Sequence, residues 1–299
     1  MSIFRTKILL ASDSSEHAAV AARAAADLCE KTGSWLHVVH AWRPPIPPGY
    51  TGRPLPTRHD FWYEHEAGDL LTAQTKRIEA AGGSVEEAHL RRGPTVDGIL
   101  DLSEELDAGL IVAGRRGLGP LKRLMMGSVS DGLARHASCP VLIVDGGEQA
   151  WPPARIVIGE DFSEEARGAA ELAATLGRLL GADVQLVSAF PKYPDLPRET
   201  RRRPDVPTPE EALRWLERDL DALSEDLAKE LGQRPETEVI VGDAAPVIVE
   251  AAARGDGPVM VAVGGRNLGT MRRVMLGSVS SDVLRSTDGP VLVYRRPAA

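Results

Sequence analysis

The chain has 299 residues, about twice the size of a common domain, and is long enough to bury a sizeable core. Hydrophobic residues make up 43% and charged residues 26%, a balance that excludes a mainly disordered chain. Lys and Arg number 35 against 43 Asp and Glu, a net charge of −8, which argues against nucleic acid as a partner and requires any bound anion to be held by a local site. Aromatics are only 4%, so the core must be built from Ala, Val, Leu and Ile. The two cysteines, Cys29 and Cys139, are too few for a disulfide scaffold and read as buried small hydrophobes; no Cys/His cluster has zinc spacing. No signal-type segment or membrane-length apolar run is visible, which places the expected location in the cytoplasm, with no membrane partner.

Taken in chain order, the first half alternates strands and helices. Ile8–Ala11 is a short apolar run of buried-strand type. Ser14 or Ser15 can cap the Ala-rich helix that follows, and Gly33 can end it. Leu36–Ala41 reads as the second strand, and a Pro-rich loop from Arg43 leads to a helix over Asp60–Ala81. Val85–Leu90 and Pro94–Leu106 read as the third strand and helix, Leu110–Ala113 as the fourth strand. A Gly-rich loop then opens onto a helix at Ser128–His136, and Pro140–Val144 is the fifth strand.

The second half repeats this order from Ile156–Gly159 to Val291–Tyr294. Asp13/Asp161, Ser15/Ser163, Gly33/Gly181, Gly114/Gly264, Gly127/Gly277 and Ser128/Ser278 recur at a nearly constant separation. The period is too long for a solenoid and means two copies of a whole domain, 1–146 and 153–299, joined by a short Gly/Pro linker. Each copy should form a parallel sheet covered on both faces, with ligands beyond the carboxyl ends of the strands.

The informative stretch runs from Gly114 to Ser130. It follows a strand and opens onto a helix, where free N–H groups and the helix dipole favour an anion. Glycines permit close approach of backbone to ligand, and Ser128 and Ser130 add hydroxyl groups, so phosphate binding is the chemistry suggested. A P-loop is excluded because Pro120, not Lys, follows Gly119. A dinucleotide fingerprint is excluded because the first strand runs into Ser12-Asp13-Ser14-Ser15, without glycine.

The spacing Gly114-x2-Gly117-x9-Gly127-Ser128 resembles the nucleotide motif of the universal stress protein family. The first strand ending in Asp13, the Gly93-Pro94 pair and the closing Cys139-Pro140-Val141-Leu142-Ile143-Val144 are similar too. The resemblance covers both halves and implies two tandem Rossmann-like α/β domains of the adenine nucleotide alpha hydrolase type. Each would be a five-stranded parallel sheet of order 3-2-1-4-5. It also implies ATP as the cofactor, a regulatory role in stress response, and pairing of domains through the fifth strands, either between the two halves of one chain or in a homodimer; an Asp at the Asp13 position can accept from ribose hydroxyls or help hold a divalent ion such as Mg. By position, Gly114, Gly117, Gly127, Ser128, Val129 and Ser130 would hold phosphates and ribose. Ala11, Ser12 and Asp13 would contact the nucleoside, Val39 would lie against the adenine, and Arg115 and Arg116 would offset phosphate charge.

The matching positions of the second half are Asp161, Val187, Gly264, Gly277, Ser278, Val279 and Ser280. Here Asn267 replaces the glycine at the Gly117 position and Glu160 replaces Ser12, adding a negative charge where a polyanion would lie. The expectation is therefore that the first domain holds the nucleotide. A slow ATPase and a scaffold without nucleotide are the competing readings; no general base stands out, so no catalytic residue is assigned. The seven histidines look scattered, Arg201-Arg202-Arg203 reads as a solvated loop, and Trp62, Tyr63 and Trp215 suit either core or interface.

Overall fold

The computed structural model describes residues 7–13, 15–43, 58–115, 126–145, 147–192, 207–265 and 276–296, and the chain divides into two units between Trp151 and Pro152. In unit 1 the elements are β1 (Lys7–Ala11), α1 (Glu16–Thr32), β2 (Trp35–Trp42), α2 (Arg58–Ala80), β3 (Glu87–Arg92), α3 (Thr95–Glu105), β4 (Leu110–Gly114), α4 (Ser128–His136) and β5 (Val141–Val144). The strands are parallel and lie in the order β3-β2-β1-β4-β5, as the resemblance implies. β1 and β4 form the middle, with Ile8 beside Leu110 and Leu10 beside Val112, and these residues are fully buried. A strand covered on both faces has no polar side to show, hence the continuous apolar runs.

Unit 2 has β6 (Arg155–Gly159), α5 (Glu164–Leu180), β7 (Asp183–Phe190), α6 (Pro209–Leu231), β8 (Glu236–Val241), α7 (Ala244–Ala253), β9 (Val259–Gly264), α8 (Ser278–Ser286) and β10 (Val291–Tyr294). Its sheet is likewise parallel, in the order β8-β7-β6-β9-β10.

The first helix of each unit is fixed at both ends by the same chemistry. The Ser15 hydroxyl accepts from the Ala18 amide and the Ser163 hydroxyl from the Ala166 amide, both at 3.2 Å. Gly33 and Gly181 end the helices in the left-handed region, at φ 67° and 68°, where a Cβ would be strained. Ser15 is thus the cap; Ser14 lies outside the described residues.

Several element ends differ from expectation by one or two residues. β3 begins and ends two residues later than the apolar run Val85–Leu90, because it is the edge strand and alternates rather than running apolar: Glu87, His89 and Arg91 share one face, Ala88 and Leu90 the other. α7 starts at Ala244, so Pro246 sits inside its first turn, where a missing N–H breaks no helix bond. α6 opens at Pro209, behind a capping box between Thr208 and Glu211. Cys29 and Cys139 are buried thiols outside any disulfide, and burial pushes the Cys29 thiol up to about 12. Trp62 and Trp215 are 60% and 51% exposed, so neither is core. Among the described residues no helix is long and apolar enough to cross a membrane.

Candidate functional site

β1 and β4 are hydrogen-bonded neighbours, and β1 connects onward toward β2 while β4 connects toward β5. Their carboxyl ends therefore open on the crevice where connections diverge, the usual ligand position in open parallel sheets. Ala11 and Ser12 are buried at the end of β1, and Asp13 is half-buried beyond them. The Ser12 amide donates to the Val39 carbonyl at 3.0 Å, and the Ser12 carbonyl is held by His40 Nδ1 at 2.9 Å. Asp13 Oδ1 accepts from the Ser15 amide at 3.1 Å, a turn that sets the carboxylate just before α1. Val39 is wholly buried within the sheet, so what it presents at the strand end is backbone rather than side chain.

The far wall is the start of α4. Gly127 occupies the cap position with extended backbone, φ −65° and ψ 145°, and has no side chain to satisfy the first-turn amides. Ser128 is exposed beside them and Val129 is half-buried. Ser130 is only 2% exposed, and its hydroxyl donates to the Arg115 carbonyl at 2.8 Å or the Gly127 carbonyl at 3.0 Å. The Gly127 amide also donates to the Arg115 carbonyl, at 3.0 Å. Two donors on one carbonyl tie together the two ends of the Gly-rich loop. Ser130 thus closes the neck of the loop, which makes it a positioning residue. Arg116 and Gly117, like Asn267 of the second motif, lie outside the described residues.

Arg115 is placed differently from its expected role against phosphate. It is 6% exposed, and its Nη1 donates to Asp145 Oδ2 at 2.6 Å in a buried ion pair linking the ends of β4 and β5. A guanidinium committed to a buried carboxylate is already neutralised, so Arg115 acts on the frame of the site.

Unit 2 keeps the frame and changes its fittings. The Glu160 amide donates to the Val187 carbonyl at 2.9 Å, matching Ser12 on Val39, and Val187 is again wholly buried. The Glu160 carbonyl is held by the Ser188 hydroxyl at 2.9 Å, where unit 1 uses His40. Asp161 Oδ1 accepts from the Ser163 amide at 3.0 Å. Gly277 begins α8 without a side-chain cap, Ser278 is exposed, Val279 half-buried, and the buried Ser280 hydroxyl donates to the Gly264 carbonyl at 2.7 Å. Gly264 has a packing reason to be glycine: a Cβ there would come within 2.6 Å of the Ala166 backbone nitrogen in α5. The buried Arg115–Asp145 pair is replaced by Gly265 and Arg295. Arg295 is 3% exposed, and burial draws it down to about 10.

The larger change is Glu160. It is 4% exposed; Oε1 accepts from the Phe162 amide at 2.6 Å, while Oε2 is buried with no hydrogen-bond partner. Burial, with a smaller contribution from the Asp161 charge, pushes its carboxyl up to about 7. Phe162 is held at φ 60°, a left-handed conformation unusual for an aromatic residue. The strand end that carries a small neutral Ser12 in unit 1 thus carries a folded-back acid in unit 2.

The structure also gathers residues that look unrelated in the sequence. His37 on β2 and Glu87 and His89 on β3 bring their ligand atoms within 4.8 Å of one another. The linear signal is slight: Glu87-x-His89 places two donors on one face of a strand, but only strand register supplies His37. Separately, a cavity of about 780 Å³ lies at the opposite end of unit 1, lined by Cys29, Trp35, Gln74 and Gly83. It contains none of the candidate site residues.

The universal stress protein family matches residues 5–145 and again 153–295, so the chain belongs to that family, with two family domains in tandem. A universal stress protein of Mycolicibacterium smegmatis is 28% identical over 297 residues, spanning 96% of each chain. One of Mycobacterium tuberculosis is 29% identical over 305 residues, also 96% of each. A crystal structure of a universal stress protein from Archaeoglobus fulgidus, 21% identical, shares the fold with a TM-score of 0.69 over 98% of this chain and 100% of its own.

Two outcomes follow from the charges at these strand ends. Asp145→Ala removes the carboxylate that faces the buried Arg115 guanidinium and should cost about 3 kcal/mol of stability, read by chemical denaturation. A cost near zero would show that the guanidinium relaxes into water. Glu160 has a folded-state pKa above its unfolded one, so its contribution favours the fold below pH 4.5 and is lost as pH rises to about 7. Glu160→Gln should therefore be the more stable protein at pH 8, by on the order of a few kcal/mol. The advantage should vanish near pH 4.5; a difference independent of pH would contradict the assignment.

Proposed function

We propose that this chain is an ATP-binding regulatory protein of the stress response, with the nucleotide held chiefly by unit 1. The observation that carries the reading is the start of α4. It presents first-turn amides that no capping side chain satisfies, beside an exposed Ser128, at the point where connections from β1 and β4 diverge. Helix N-termini of this kind suit phosphate oxygens, because N–H donors and the helix dipole act together. The half-buried Asp13 is suited to accept from ribose hydroxyls, and the strand-end backbone around Val39 suits the edge and face of a purine. The loop motif Gly114-x2-Gly117-x9-Gly127-Ser128 supports the same assignment from sequence.

The preference for unit 1 rests on Ser12 against Glu160. A buried carboxyl with an unpaired oxygen occupies the strand end in unit 2, and its ionised form repels a polyanion. The opening of α8 keeps its phosphate-type geometry, so the discrimination lies at the nucleoside end of the site. No residue is assigned a catalytic role in this reading. ATP acts as a bound effector whose occupancy alters the surface offered to partners.

Titration calorimetry with ATP on three proteins tests this. The wild-type chain should bind, Gly127→Arg should lose most of the binding by filling the approach to the α4 amides, and Gly277→Arg should leave it nearly unchanged. Retained binding in Gly127→Arg would remove the assigned site. Equal losses in both variants would remove the preference for unit 1.

A further inference from the structure

The edge of the unit 1 sheet carries a second cluster of chemistry, away from the strand ends. β2 and β3 pair with His37 opposite Glu87 and Val39 opposite His89. Side chains two apart on a strand share a face, so His37, Glu87 and His89 point to the same side of the sheet. His37 Nδ1 and His89 Nε2 are 3.0 Å apart, the rings are stacked with centroids 5.3 Å apart, and Glu87 Oε2 is 3.8 Å from His89 Nε2. We propose that His37, Glu87 and His89 form a divalent-cation site, with zinc the best-matched ion.

Two imidazoles and one carboxylate are a donor set that zinc uses where one coordination position stays open to water. Ligands at about 2.0–2.1 Å from a tetrahedral ion stand about 3.3 Å from one another. The two ring nitrogens already meet that separation to within a few tenths of an ångström. The carboxylate must move in by about 0.5 Å toward His89 and by up to about 1.5 Å toward His37, which a flexible, exposed Glu side chain can do. Access is from the Glu87 side: that side chain is 62% exposed, His89 is 12% exposed, and His37 forms the buried floor. As a hydrogen-bonded pair alone the arrangement is incomplete, because His37 Nε2 is buried with no partner.

Unit 2 offers an internal contrast. Gln185 takes the place of His37, and Glu238 that of His89, on the paired strands β7 and β8. Gln185 Nε2 donates to Glu238 Oε2 at 3.1 Å, and the other oxygen of Glu238 accepts from Arg254 Nη1 at 2.6 Å. Gln185 also accepts from Arg155 at 3.2 Å. The second copy thus meets its acceptors with guanidinium cations of its own. In the first copy Lys7 stands at the Arg155 position and its charge acts on His37, Arg91 is tied to Glu105, and two imidazoles face the carboxylate.

The test uses the full-length chain, stripped of metal with a chelator and then equilibrated with Zn²⁺ or Co²⁺ in the absence of nucleotide. The wild-type protein should retain a zinc ion that His89→Gln does not, and Co²⁺ should give the strong visible absorption of a low-coordinate site only in the wild type. Glu87→Gln alters an exposed side chain and leaves the fold intact; it should weaken zinc binding by more than about tenfold, since even groups that merely orient a ligand are worth that much. Zinc affinity and stoichiometry equal in all three proteins, or no zinc retained by the wild type, would overturn the site.

Discussion

The candidate site depends on one topological constraint: β1 and β4 lie side by side, yet the chain leaves them in opposite directions. In a right-handed parallel sheet this forces the following helices onto opposite faces and leaves a gap above the two strand ends. Everything else positions groups around that gap. The Ser12 amide on the Val39 carbonyl fixes one lip, and the paired bonds from Gly127 and Ser130 to the Arg115 carbonyl fix the other. The amides opening α4 have no side-chain cap, because Gly127 cannot supply one.

The two units show which parts of this arrangement are constrained and which drift. The backbone bond at the first strand end is kept, Ser12 on Val39 becoming Glu160 on Val187, while the serine hydroxyl near the start of the fourth helix bonds the Arg115 carbonyl in one unit and, one position earlier, the Gly264 carbonyl in the other. Side chains around them exchange freely. A carbonyl held by His40 in one unit is held by Ser188 in the other, and the Arg115–Asp145 pair gives way to Gly265 and Arg295. Burial makes such exchanges consequential. An exposed glutamate at the Ser12 position would be a small perturbation, whereas one 4% exposed carries a carboxyl shifted to about 7 and an orphaned oxygen.

Much of the fold was legible because its determinants are local or periodic. Fully buried strands show as apolar runs, helices carry Ser15, Ser163, Gly33 and Gly181 at their ends, and the internal repeat reads one unit against the other. β3 was harder to bound because an edge strand alternates and its apolar residues do not mark its ends. At the candidate site, Gly114, Gly127 and Ser128 of the motif are among the described residues, and the tasks of their neighbours are set by tertiary partners. Arg115 reads as a phosphate cation until Asp145 is seen against it, and Ser130 as a ligand donor until its hydroxyl is seen closing the loop. The His37–Glu87–His89 cluster had only the Glu87-x-His89 pair as a linear signal, since its third member is brought in by register between two strands fifty residues apart.

The central claim is that one of two similar crevices is the working nucleotide site. Denaturing freshly purified protein, and identifying and counting the released nucleotide by chromatography and mass, tests it most directly. The account predicts ATP in a ratio of about one per chain, by the difference between Ser12 and Glu160 at the strand ends. Two per chain would contradict the asymmetry, and a chain that carries none and takes up none when ATP is added would contradict nucleotide binding itself.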